Sequence, residues 1–270
     1  MTSCSLDPDY LSALHSAALQ PPLRLRVPLW AGAATIGSVE PDFLSQIVLQ
    51  PLSDGRQQLS KEERVGVWGW QLHGDVTGGL NRIAAALHAA GLAGAWRNEQ
   101  LAVADSQGRV VGTVERAAVR PLGIRTQAVH LVGQTPDGRF WVQQRALDKP
   151  NDPGLWDTLM GGMVSGADTV ASALARETWE EAGLQVSELK DVRHGGRLRT
   201  TRPARDGGGA GYVVEDIDWY RCTVPEGVVP VNQDGEVARF ALMDAEELVQ
   251  KMQQGEFTLE AALIQAALTN

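Results

Sequence analysis

The chain reads as an α/β protein, with a C-terminal α/β/α sandwich over residues 119–270 and a separate N-terminal α+β domain over residues 1–118. Three observations lead there. Residues 120–145 hold two apolar strand-like runs, VHLVG and FWVQQR, on either side of a turn. Residues 168–183 carry one helix pattern bracketed by glycines, and strand-like runs follow it at 213–224 and 237–243. The chain of 270 residues is long enough for two domains, and its first 118 residues contain a helix pattern of their own.

In the N-terminal part, Asp75 to Ala90 is expected to be a helix, because Leu80, Ile83, Ala84 and Leu87 recur at helical spacing. Gly37-Ser38-Val39-Glu40 echoes Gly112-Thr113-Val114-Glu115, which suggests a duplicated strand–turn–helix unit or a chance recurrence. Trp68 and Trp70 are candidates for a ligand face, although tryptophan more often fills a core. This domain is assigned to substrate selection or dimerisation.

In the C-terminal part, strands are expected at 120–134 and 139–145. The turn between them is Thr135-Pro136-Asp137-Gly138, where Pro presets one dihedral and Gly accepts positive φ. A Pro- and Gly-rich loop runs from Asp148 to Trp156, and Asp157 to Met160 leads into a tight glycine turn at Gly161-Gly162. In the helix that follows, Asp168 is placed at the start, where a carboxylate caps free N–H groups, and Gly183 at the left-handed end. Ala171, Leu174, Ala175, Thr178 and Ala182 are read as its packing face. Strands at 213–224 and 237–243 come next. Asp244, with Glu247 three residues on, starts a helix, and Thr258 caps a last one carrying Leu259, Leu263, Ile264 and Leu268.

Composition narrows the function. A net charge of −9 disfavours general nucleic-acid binding. Cys4 and Cys222 are too few and too far apart for a disulfide scaffold or a cysteine-rich zinc site. No apolar run is long enough to span a membrane, and the N-terminus has no signal-like apolar core, so a cytoplasmic enzyme is expected.

Glu177, Glu180 and Glu181 lie at i, i+3 and i+4, so they project from one side of the helix. Carboxylates so placed repel one another unless a cation joins them, and hard oxygen donors suit Mg²⁺ or Mn²⁺. Arg176, one turn before Glu180, is expected to hold it by an ion pair. Gln144, Arg145 and Lys149 are candidate phosphate or ring contacts, Gln144 being equally read as a solvated side chain. Arg193, Arg197, Arg199, Arg202 and Arg205, followed by the tract Asp206 to Gly211, form either a basic loop that clasps phosphate or an exposed loop with no ligand. Glu236 in Asp234-Gly235-Glu236 is a candidate general base or a turn acid; Glu215, Asp216 and Asp218 are rival acids. His130 and His194 are not taken as bases.

The segment GGMVSGADTVASALARETWEEAGL at 161–184 resembles the Nudix box, G-x5-E-x7-R-E-U-x-E-E-x-G-U with U bulky and apolar. Gly162 through Leu184 fits without a gap; Asp168 stands where the family has Glu, and Thr178 stands at the first U. The resemblance implies an α/β/α Nudix sandwich and a divalent-metal diphosphate hydrolase. Its metal ligands would be Glu177, Glu180 and Glu181, and its structural residues Gly162, Asp168 and Gly183. A further acid, here Glu236, would serve as ligand or base, so that Glu180 or Glu236 takes the proton of the attacking water.

GRVVGTVER at 108–116, QQRALDKPNDPGLWDTLMGGM at 143–163, ETWEEAGL at 177–184 and DGEVARFALM at 234–243 resemble a two-domain Nudix subfamily related to thiamine pyrophosphokinase. That likeness implies hydrolysis of thiamine diphosphate, or of its damaged oxo and oxy analogues, to the monophosphate and phosphate. The alternatives are hydrolysis of a nucleoside diphosphate derivative (ADP-ribose, an NDP-sugar or a dinucleotide) and a non-catalytic Nudix binding module. The Nudix-related isopentenyl diphosphate isomerases need a catalytic Cys and a His set that are not found near the box. The expected partner is a small-molecule diphosphate, with neither nucleic acid nor membrane, and a homodimer is expected.

Overall fold

The structure, a computed structural model, describes residues 6–55 and 57–269. Cys4 lies outside the described residues. The fold is organised around β7 (Thr126–Gln134). This strand pairs in parallel with β12 (Gly211–Thr223) and antiparallel with β10 (Met160–Met163), and its last two residues pair antiparallel with β8 (Phe140–Arg145). β12 carries the outer strand β11 (Lys190–Ala204); β8 carries β13 (Val237–Met243) and the short β9 (Trp156–Asp157).

The period-two alternation of β7 builds two cores. Val129 and Leu131 face a cluster with Ala173, Leu174 and Ala182 of α3 (Val170–Ala182). Ala128 and Val132 face the opposite cluster, formed with α4 (Ala245–Gln253) and α5 (Leu259–Thr269). A sheet covered by helices on both faces is the expected α/β/α sandwich. Leu6 and Leu14, the latter on α1 (Pro8–Ala18), join that second core, so the first helix of the chain packs with the C-terminal sheet.

A second sheet of order β2-β1-β4-β3 comes from β1 (Val27–Ala31), β2 (Ala34–Val39), β3 (Leu59–Arg64) and β4 (Val67–Leu72). It shares a core with α2 (Val76–Ala89), whose buried residues include the expected Leu80, Ile83, Ala84 and Leu87. Asp75 caps α2 by accepting the Gly78 N–H at 2.6 Å. The hairpin β5 (Gln100–Ala104)–β6 (Val110–Glu115) lies on α2: Thr113 donates to Thr77 Oγ1 at 3.1 Å and Glu115 N–H to Asn81 Oδ1 at 3.1 Å. The two echo segments are each the second strand of a hairpin followed by a short 3-10 turn, not strand–turn–helix units. Of the two tryptophans, Trp70 is buried and donates to Pro41 O at 3.0 Å, while Trp68 is exposed.

Four other expectations are corrected. The strand expected from 120 begins at 126, because residues 119–123 close a turn in which Leu122 and Gly123 donate back to Ala118 and Arg120. Gly161 and Gly162 are strand residues paired with His130 and Val129 rather than a turn. The supposed basic loop after residue 193 is the long strand β11, and only its glycine tract turns the chain into β12. On α3, Ala171 and Ala175 are exposed, whereas Ala173 and Glu181 are buried. Among the described residues no helix is long and apolar enough to cross a membrane.

Candidate active site

The ends of α3 fix the orientation of its acids. Thr169, not Asp168, is the N-cap: it accepts the Ser172 N–H at 3.1 Å, while the Ser172 hydroxyl accepts the Thr169 N–H at 2.8 Å. Asp168 lies one residue earlier and holds a side chain two turns on. It accepts from Arg176 Nε at 3.0 Å and Nη2 at 2.8 Å, and from the hydroxyls of Ser165 and Ser172, each at 3.0 Å. Burial alone would raise its pKa, but these donors hold it below the usual carboxylate range. At the other end Gly183 is left-handed, with φ 64°, and the loop beyond supplies N–H groups: Val231 to Ala182 O at 2.8 Å and Gln233 to Glu180 O at 3.0 Å.

Arg176 is the hub of the site. Its Nη1 donates to Glu177 at 2.8 Å and to Glu180 at 3.0 Å, and its Nη2 reaches Met163 O at 3.2 Å. The ion pair with Glu180 is as expected, but the three glutamates do not converge. Glu181 turns into the interior, where it accepts Gln143 Nε2 at 2.8 Å and the Gly161 N–H at 2.9 Å. Glu177 lies over the next residue of the same strand, so that a Cβ at Gly162 would overlap its carboxylate. A Cβ at Gly161 would overlap the ring of His130 beneath. The glycines are therefore there for close approach rather than for a turn.

This packing leaves negative charge under-compensated. Burial pushes the Glu177 carboxyl up to about 7 despite Arg176, and Glu181 up to about 8 despite the donors from Gly161 and Gln143; each is raised further by a neighbouring glutamate. Gln143 Oε1, beside Glu181, is buried without a hydrogen-bond partner. Among the described residues no three His, Cys, Asp or Glu side chains already form a metal-holding group, since Arg176 engages Glu177 and Glu180. The chemistry of the donors (buried carboxylates, an orphan amide oxygen, no cation at Glu181) still fits a hard divalent ion.

Other expected residues are placed as follows. Gln144 is held by Gly154 O at 2.9 Å and by Arg239 Nε at 2.7 Å. Arg145 reaches Asn151 O at 3.2 Å and lies 3.7 Å from Asp157. Lys149 is paired with Glu236; burial would raise that carboxyl, but Lys149 holds it below the usual range. Arg197 is bidentate to Asp218 at 3.0 and 2.8 Å, and Arg199 to Asp216 at 2.6 and 3.0 Å, so neither is the free guanidinium that a phosphate-clasping loop requires. Two of the rival acids are thus the cross-strand partners of these arginines. His194 lies 3.1 Å from Asp218, and buried His130 lies 3.0 Å from Thr158 Oγ1 and 3.5 Å from Asp157. Cys222 is buried and its thiol is pushed up to about 12, which makes it no nucleophile.

Sequence reasoning missed Gln143, whose role depends on the register of β8 against α3, and a cleft of about 940 Å³ beside the box. The cleft runs from Gly94, Arg97 and Arg116 across Asn151 and Met163 to Arg202 and Glu215. The segments on either side of the hairpin β5–β6, with Arg97 before it and Arg116 after it, line one wall, and the hairpin is tied to the loop before α3 by the Gly166 N–H, which donates to Gln100 O at 2.7 Å.

The comparisons agree with this geometry. A family model described as NUDIX domain matches residues 124–263. An uncharacterised protein of Saccharomyces cerevisiae is 27% identical over 185 residues, 63% of this chain and 53% of that protein. Nudix hydrolase 20, chloroplastic, of Arabidopsis thaliana is 31% identical over 175 residues, 60% of this chain and 43% of that protein. The chain spans about half the length of the curated relatives it matches. A crystal structure of a Deinococcus radiodurans protein superposes with a TM-score of 0.50 at 19% identity, covering 63% of this chain and 99% of that one, and so shares the fold. With the match covering more than half its length, and the residues of the box in place from Gly162 to Leu184, the chain belongs to the NUDIX family.

Proposed function

We propose that the protein hydrolyses an organic diphosphate with a divalent ion, Mg²⁺ or Mn²⁺, held by Glu177, Glu180 and Glu181. The observation that carries this reading is a pair of carboxylates, the partly buried Glu177 and the buried Glu181, pressed against consecutive glycines of β10 and sharing a single nearby cation, Arg176, which of the two pairs only with Glu177. Once held there, such an ion would supply charge neutralisation at the phosphates and acidify water. Arg176 fixes the rotamers of Glu177 and Glu180 through Asp168. Gly161 and Gln143 hold Glu181. Glu180 or Glu236 takes the proton from the attacking water. Attack on phosphorus breaks the P–O–P bridge and yields a monophosphate and inorganic phosphate.

The substrate we propose is thiamine diphosphate or its oxo and oxy analogues. The motifs at 108–116, 143–163, 177–184 and 234–243 support this, since they resemble the thiamine-linked branch along most of the chain. The cleft supports the damaged forms: a pocket walled by arginines favours the neutral ring of an oxo analogue over a cationic thiazolium. The test is phosphate release with Mg²⁺ from thiamine diphosphate, its oxo and oxy analogues, ADP-ribose, NADH and UDP-glucose, a phosphatase being coupled for the nucleotides. Fast turnover of the thiamine compounds, lost in Glu180→Gln, is expected. Preference for ADP-ribose or NADH overturns the substrate assignment, and equal turnover by wild type and Glu180→Gln overturns catalysis.

A further inference from the structure

The cleft beside the box reverses the charge of the molecule. The chain carries a net charge of −9, yet the cleft wall presents Arg97, Arg116, Arg120, Arg202 and Arg205. Against these five stand three acids, Asp152, Asp206 and Glu215. Arg120 is shared between Asn151 at 3.2 Å and Asp206 at 3.5 Å, and Arg202 is engaged by Glu260 at 2.9 Å. Arg116 gives one nitrogen to Glu99 at 2.7 Å and keeps the rest of its fork. Among the described residues, the guanidinium of Arg97 has no ion-pair or hydrogen-bond partner.

Arg97 and Arg116 flank the two ends of the hairpin that receives the Gly166 N–H, so the backbone that precedes the metal helix also fixes their distance from it.

We propose that Arg97 and Arg116 form an anion subsite, contributed from outside the NUDIX domain, that binds the terminal phosphate of a diphosphate ligand. This rests on the proposed diphosphate chemistry and assigns the N-terminal hairpin a direct part in it. A guanidinium fork donates two parallel hydrogen bonds to a phosphate, and a partly desolvated wall strengthens them. Pairing with Glu99 aims Arg116 without using its whole donor set.

The test uses the full chain with Mg²⁺ and the non-hydrolysable probe methylenediphosphonate, its binding followed by calorimetry at two ionic strengths. Arg97→Ala and Arg116→Gln are expected to weaken binding about tenfold and to flatten its salt dependence, the loss of one charge-assisted pair. Arg97→Lys restores part of the affinity, and Arg139→Ala, in the distant β7–β8 turn, changes nothing. Melting temperature is unchanged in Arg97→Ala, so a fold defect is not the cause. In turnover the same variants raise KM and leave kcat within about twofold. Equal binding by wild type and both variants, or no binding to wild type, overturns the subsite. If wild type hydrolyses no organic diphosphate but Arg97→Ala still weakens probe binding, the subsite stands and the hydrolase reading falls.

Discussion

The carboxylate of Glu177 lies directly on the backbone of Gly162, so close that a side chain at 162 has no room. Gly162→Ala is therefore expected to displace Glu177 and its partner Arg176. The cost to stability is about 1–3 kcal/mol, as for overpacking elsewhere, but the larger loss falls on the site. Mn²⁺ affinity, followed by paramagnetic resonance, and turnover should both collapse while the fold persists. Unchanged Mn²⁺ affinity in Gly162→Ala would separate Glu177 from metal binding.

Glu181 makes metal-free stability depend on pH. An unfolded carboxyl ionises near the ordinary glutamate value, whereas burial keeps the folded Glu181 protonated up to about 8. Between those values the folded state binds the extra proton, so stability falls as pH rises through that window. Melting of the metal-free protein should drop across the window, Glu181→Gln should reduce the drop and leave the part that belongs to Glu177, whose carboxyl is held up to about 7, and Mg²⁺ should oppose the drop in wild type. A flat profile in metal-free wild type would show that the carboxylate is already compensated.

The C-terminal end of α3 and the Arg176–Glu180 pair were legible because they follow from spacing along one helix: Gly183 needs positive φ, and residues 176 and 180 are one turn apart; the N-cap fell one residue later than expected, on Thr169. The direction of Glu181 was not. It depends on Gln143 and Gly161, which are brought to it by the register of separate strands. The residues 193–204 read as a loop because apolar alternation is absent there. In β11 the alternation is ionic instead, with Arg197 and Arg199 set against Asp218 and Asp216 across the ladder. The cleft was invisible for a related reason: its arginines are scattered from 97 to 205 and meet only once the hairpin docks on the loop before α3.

Asp218 shows that those cross-strand pairs are structural. It is buried and accepts from Gln127 at 2.8 Å, from both nitrogens of Arg197, and from His194 at 3.1 Å. Asp218→Ala should cost about 1–3 kcal/mol in urea unfolding, because Gln127 loses its acceptor while the half-exposed Arg197 and His194 turn to water. Burial would raise the pKa of Asp218, but Arg197, Gln127 and His194 outweigh it and hold the group low. Its stabilisation is thus present above the ordinary aspartate value and is lost as pH falls through the lowered one. The variant should lack that acid-side loss.

Cys222 separates hydrolysis from thiol-dependent chemistry on the same fold. Its thiol is buried and held at about 12, so Cys222 in the native protein should resist iodoacetamide at neutral pH, as read by mass on the peptide that carries it. Cys222→Ala should keep full turnover. Loss of turnover with an unchanged melting temperature would call for a different reaction class.

Lys149 offers a way to tell which acid is the general base. It is paired with Glu236, and that pair, aided by Arg116 and Arg97, overcomes burial and holds the Glu236 carboxyl below its usual range. Lys149→Met removes the nearest positive charge, so the Glu236 pKa must rise. A base has to be ionised to accept a proton, so if Glu236 is the base the acid limb of the kcat/KM profile moves to higher pH in Lys149→Met. Glu180 is paired with a different cation, Arg176 at 3.0 Å, and among the described residues no hydrogen bond or ion pair joins it to Lys149. An acid limb that stays in place while KM changes therefore assigns the base to Glu180 and leaves Glu236 to substrate or metal contact. Repeating the profile in Glu236→Gln closes the argument: a surviving limb belongs to Glu180, and a vanished one to Glu236.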